Sequence, residues 1–206
     1  MAMLRNVKVA DPSGGAKSDT EPSRPATLGK SMPSIISHAA VPLALGLGLG
    51  EQRIPSRLLV IGIAASMFPD ADVILFRFGA TYATVCHRGF SHSLGFAILL
   101  GLGAMLLLRK SVPPLLAFAF VAFCAASHGF LDMMTNGGHG VAILWPLTGQ
   151  RYFFDWRPIQ VSPLAAARFV KRAAAVAGTE LLWIWLPAIV VALVLRADRR
   201  QGGMKS

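Results

Sequence analysis

The stretch "HRGFSHS", residues 87–93, sets His87, Arg88 and His92 in front of an apolar run, and "SHGFLD" sets His128 and Asp132 at the end of another. His38 in "ISHAAVP" and the pair Asp70 and Asp72 in "FPDAD" complete a group of four histidines and three aspartates. Neutral imidazole with carboxylate is a donor set for zinc or manganese, whereas magnesium and calcium prefer oxygen alone. His128 and Asp132 are four apart, about 40° of helical rotation, and so lie on one helix face. His87 and His92 would diverge on a continuous helix, but Gly89 between them permits a turn that lets both reach the same space. His139, in "GGHG", lies in loop chemistry and is the weaker candidate.

Five apolar stretches must position these groups, at about residues 34–50, 58–76, 93–108, 112–130 and 181–195. A helix needs about 20 apolar residues to cross a bilayer core. The second and fourth stretches meet that length. The first, third and fifth fall short unless the bilayer thins or flanking residues join them. The first is glycine-rich ("LALGLGLG") and could also be re-entrant. The expected fold is therefore all-α, a polytopic helical membrane protein of about 4–5 spans. In an alternating five-span path, the start of the first span, the end of the second, the start of the third and the end of the fourth share one membrane face. All seven polar residues fall at those four places.

Composition supports lipid as solvent: hydrophobic residues are 54% of the 206 and charged residues 15%, against roughly 25% charged in soluble domains. The net charge of +10 is scattered between apolar runs rather than gathered on one stripe, so no nucleic-acid partner is expected. The positive-inside rule favours a cytoplasmic amino terminus, the basic carboxyl tail opposes it, and sidedness stays open. Cys124 lies in an apolar run and reads as a small core residue, Cys86 as a loop cysteine. Residues 1–31 read as a disordered polar tail, with Met32 an alternative start. Residues 32–200 form the helical membrane domain and 201–206 a short tail. Within that domain, residues 131–180 form a long connection whose "LAAARFVKRAAAVAG" reads as a helix, on the membrane surface or free of it.

An ionised aspartate near the middle of a membrane helix costs roughly 2.5–3.5 kcal/mol on insertion scales, and several together repel. A divalent cation removes both problems, since it neutralises carboxylates and binds neutral imidazole. The bland readings are a helix cap for Asp70, a snorkelling anchor for Arg88 and interface histidines. The cluster as a whole favours a metal site.

"MPSIISHAAVPLALG", "FPDADVILFRFG", "HRGFSHS", "SHGFLDMMTNGG" and "WPLTGQRYFFDWRPIQVSP", in that order, resemble the YdjM-like family of predicted bacterial inner-membrane, metal-dependent hydrolases. The resemblance implies metal ligands at His38, Asp70, Asp72, His87, His92, His128 and Asp132. Where relatives often carry Asp–Gly–Gly this chain has Asn136–Gly137–Gly138, which removes an acidic group there.

The leading expectation is a membrane-bound hydrolase of an ester or phosphoester, lipid-linked by virtue of its location, with one or two zinc or manganese ions. Asp70 is the candidate general base and Arg88 the candidate clamp for an anionic phosphate. No Gly-x-Ser-x-Gly elbow supports a serine hydrolase. The alternatives are a non-catalytic membrane protein with a structural metal or polar helix lock and, ranked below it, a transporter.

Overall fold

The computed structural model describes residues 4–7, 31–32, 34–72, 88–138, 140–163 and 166–203. Cys86 and His87 lie outside them, as does His139. The described chain is mostly helical: α1 (Ala40–Leu49), α2 (Ser56–Met67), α3 (Leu94–Leu107), α4 (Pro114–Met133), α5 (Ala166–Glu180) and α6 (Leu186–Gly203).

Two helical stretches are long and apolar enough to cross a bilayer, Pro114–Met133 and Ala173–Gln201. The stretches Ile35–Leu49 and Leu94–Leu107 are apolar but shorter. The second stretch departs most from expectation, because α2 has 12 residues and ends at Met67. Pro69 explains this: it has no N–H to donate to the carbonyl one turn back, so the α-helical hydrogen-bond ladder stops there although Phe68 itself keeps helical φ and ψ. Residues 68–72 follow as a tighter 3-10 turn, which carries Asp70 and Asp72 inward.

The helix expected over "LAAARFVKRAAAVAG" is present as α5. α5 runs without a loop into a π turn, Leu181–Trp185, and then into α6. No proline interrupts the passage from "AAAVAGTE" to "LLWIW", and the helix continues through Gly178. Part of the tail is ordered as well. β1 (Leu4–Val7) pairs antiparallel with β3 (Arg151–Phe154), and β2 (Ser31–Met32) with β4 (Ser162–Pro163).

α4 is the central element, packed against both α2 and α3 over a core that includes Leu58, Ala117, Val121 and Cys124. Cys124 is fully buried in it. Small residues permit the close approach: a Cβ on Gly101 would stand 2.8 Å from Phe118 O of α4, the type of contact that replaces hydrophobic driving force between helices in lipid. α6 lies along α1, with Leu195 against Gly48 and Arg199 against Gly50. The turns at Gly50–Pro55 and Leu108–Pro113 and the end of α6 thus gather at one end of the bundle, with Arg53, Arg57, Arg109, Lys110, Arg196 and Arg200 exposed. The polar cluster is at the other end.

Candidate metal centre

Four short pieces of chain bring the cluster together. His38 ends a 3-10 turn, Ile35–Ala39, that leads into α1. Asp70 lies in the turn after α2. His92 closes the 3-10 turn Phe90–His92 before α3, and His128 and Asp132 sit on the last turns of α4. All five residues are at most 2% exposed. Gly129 makes this junction possible, since a Cβ there would stand 2.5 Å from His92 O.

The spacing of the facing atoms decides what the cluster is suited to hold. Nε2 of His128 lies 3.5 Å from Asp70 Oδ1 and 3.8 Å from Asp132 Oδ2. Nε2 of His92 lies 3.8 Å from Asp70 Oδ1 and 3.4 Å from Asp132 Oδ2. A charge-assisted hydrogen bond would close to about 2.7–2.9 Å. Two donors bound tetrahedrally to zinc at about 2.0–2.1 Å stand about 3.3–3.4 Å apart. The observed distances are too long for direct pairing and close to those of ligands around a shared cation. One donor atom from each of Asp70, His92, His128 and Asp132 lies within 4.8 Å of every other. Both Asp70 oxygens and the Nε2 atoms of His38 and His128 are buried without a hydrogen-bond partner among the described residues, which costs free energy unless something else satisfies them.

The Nδ1 atoms of His128 and His92 are anchored, whereas His38 Nδ1 is buried without a hydrogen-bond partner among the described residues. His128 Nδ1 donates to Ser66 O at 2.7 Å. Ser91 Oγ donates to Asp72 Oδ2 at 2.9 Å and so is left to accept from His92 Nδ1, also at 2.9 Å. Each anchor assigns the proton to Nδ1 and turns Nε2 inward, the usual arrangement behind a ligating imidazole. Burial alone would lower the His92 pKa; the Asp132 and Asp70 carboxylates outweigh it and raise it to about 9. A cation must displace that proton, so its affinity weakens as pH falls.

The structure places the other expected residues differently. Asp72 is an outer partner, 3.6 Å from His92 Nδ1 and bonded to Ser91. Asp70, the expected general base, stands among the facing donors, 3.5 Å from His128 Nε2 and 3.8 Å from His92 Nε2. Arg88 is 1% exposed. Its Nε is 3.0 Å from Asp132 Oδ2, its Nη2 donates to Asp132 Oδ1 at 3.3 Å, and its Nη1 donates to Thr135 Oγ1 at 3.0 Å and Gly137 O at 2.8 Å. A guanidinium so engaged orients Asp132 and has little left for a phosphate. Its backbone φ is +62°, a left-handed conformation uncommon outside Gly, Asn and Asp. The neighbouring Asn136 accepts from Val161 N at 3.2 Å, tying down the following loop.

Against residues 32–201 the YdjM inner membrane protein family is the match. The chain belongs to that family. It is 43% identical over 173 residues to "Inner membrane protein YbcI" of Escherichia coli (strain K12), covering 82% of this chain and 100% of the relative. No solved structure matches this chain significantly. The family is one of inner-membrane proteins, and two of the described helical stretches are long and apolar enough to cross a bilayer.

Reading the sequence also misses Glu180. It is 5% exposed and accepts from Ser34 N at 2.6 Å, Ser34 Oγ at 2.7 Å and Ser37 Oγ at 2.7 Å. It thereby ties the last long helix to the turn that carries His38. The available signal was a lone acidic residue at the head of an 18-residue window otherwise nearly free of charge. Glu180→Ala strands these donors and is expected to cost about 2–4 kcal/mol, read as a lower thermal midpoint in detergent, with Glu180→Gln intermediate. Equal midpoints for all three proteins would exclude a structural role for this carboxylate.

Proposed function

We propose that this family member is a membrane-bound hydrolase that uses a divalent cation, zinc or manganese, on an ester or phosphoester carried by a lipid. One observation carries the reading: His92 and His128 Nε2 face the Asp70 and Asp132 oxygens at 3.4–3.8 Å, converging on one point. Structural zinc is held mainly by cysteine, whereas hydrolytic centres combine histidine with carboxylate. A cation held there would supply Lewis-acid polarisation of the scissile group and an acidified water. The chain supplies the rest. Asp70 and Asp132 contribute the compensating charge, Arg88 holds Asp132 in orientation, and Ser66 O and Ser91 hold the two imidazoles.

The lipid-linked substrate rests on the surroundings. In this reading five helical segments cross the bilayer, the short ones in locally thinned lipid. Exposed Phe90 and Trp145, with ring centroids 4.8 Å apart, and the pair Trp156 and Trp183, 4.7 Å apart, belong to the site end. Aromatics of that kind gather at headgroup level. An apolar groove of about 460 Å³ between α2 and α3, lined by Ile61, Ala64, Phe68, Leu100, Gly103 and Leu107, ends at Phe68, two residues before Asp70. An acyl chain in that groove would bring its headgroup to the donors.

The test is turnover of a panel of lipid esters and phosphoesters by protein loaded with zinc or manganese. Activity lost on chelation, restored by metal and absent in a folded His128→Ala variant is the expected result. Gly103 has open space where a Cβ would stand, so Gly103→Leu should raise KM for long-chain substrates roughly fourfold per methylene displaced, at about 0.8 kcal/mol each. The second reading is a structural metal site, favoured by the near-complete burial of all four donors. Fully loaded protein that is stabilised by metal yet turns over nothing would decide for it.

A further inference from the structure

We infer that the cluster is built for two cations rather than one, with His38 serving a second position and Asp70 and Asp132 bridging the two. The inference rests on the cation-binding reading above and concerns how many ions the donors take. Each aspartate divides its oxygens. Asp70 Oδ1 and Asp132 Oδ2 are turned to His92 and His128. Asp70 Oδ2 and Asp132 Oδ1 are the oxygens nearest His38 Nε2, at 3.8 and 3.9 Å. His38 thus meets the opposite edges of both carboxylates. A single ion on the His92–His128 side leaves His38 and Asp70 Oδ2 unused, and both His38 Nε2 and Asp70 Oδ2 are buried without a hydrogen-bond partner among the described residues.

The rings agree with this division. His38 and His128 are stacked, with centroids 3.7 Å apart and planes inclined by 23°. Parallel imidazoles at that separation present their Nε2 atoms to two neighbouring points, and paired ions in hydrolytic sites stand about 3.5–4 Å apart. Arg88 does not block the arrangement. An ionised carboxylate has about four lone-pair sites, so two can face the guanidinium while each oxygen keeps another. The two positions also differ in kind. The first has four protein donors, His92, His128 and one oxygen of each aspartate; the second has three, His38 and the other oxygen of each aspartate.

The experiment uses the full chain in detergent, stripped with a chelator and reloaded. With zinc, mass spectrometry should find two ions per wild-type chain and one per His38→Ala or His38→Gln chain, the His92–His128 position being retained. With manganese, the wild type should give an exchange-coupled paramagnetic resonance spectrum and the His38 variants the six-line spectrum of an isolated ion. One ion in the wild type, or two in the His38 variants, overturns the second position and leaves the single-cation reading standing. A wild type that takes up no ion overturns both. Should neither variant fold, an uncoupled spectrum from fully loaded wild type would still refute the paired arrangement.

Discussion

Removing His92 or Asp132 is expected to lower zinc affinity by more than about 100-fold. Loss of outer-sphere support alone commonly costs 10–100-fold, and these two residues provide donor atoms themselves. Their Nε2 and Oδ2 are 3.4 Å apart, so each deletion removes a corner shared by the same small volume. Mass spectrometry of detergent-purified protein should find stoichiometric metal in the wild type, a marked loss in His92→Ala and the fullest loss in Asp132→Ala, whose carboxylate faces both His38 and His92. Asp72→Asn should retain it, because Asp72 acts through Ser91 and His92 Nδ1. Wild-type protein prepared without chelators that carries no metal would end the hydrolase reading, and the cluster would then stand as a polar lock between helix ends.

Arg88→Met is expected to lose about 3–5 kcal/mol of stability, because it strands the Asp132 charge in a buried site. Arg88→Met combined with Asp132→Asn should lose less than the single change, since the stranded charge is gone as well. This non-additivity is the signature of a coupled pair. Saturating zinc should also reduce the cost of Arg88→Met, because the cation replaces the guanidinium as the partner of Asp132. Thermal unfolding in detergent, with and without zinc, reads all three effects. Strict additivity would mean that the 3.0 Å contact between Arg88 and Asp132 contributes nothing of its own, and Arg88 would return to being a candidate for substrate contact.

The cost of polar groups in lipid made the cluster legible from residues alone. Each His and Asp in or beside an apolar run is expensive to bury, and four apolar stretches carried them at alternating ends. Helix periodicity put His128 and Asp132 on one face, and the alternating direction of successive helices carried His38, Asp70 and His92 to meet them. The apolar character of Cys124 followed from its neighbours in the same way. Family membership was equally legible, since "HRGFSHS" and "SHGFLD" are contiguous in sequence.

The tertiary structure decided which of these residues share a centre and which stand behind it. Asp70 and Asp72 are two residues apart in one turn, yet one faces the donors and the other supports His92, a distinction set by the 3-10 turn over residues 68–72 rather than by residue type. Arg88 read as a snorkelling anchor or a phosphate clamp because nothing local shows that a backbone φ of +62° folds it onto Asp132, 44 positions away. Glu180 lay unnoticed because its partners, Ser34 and Ser37, are more than 140 positions distant. Patterning in sequence records what each segment must bury. The partner of a buried charge is chosen by the packing of helices from distant parts of the chain, and only the assembled bundle contains that information.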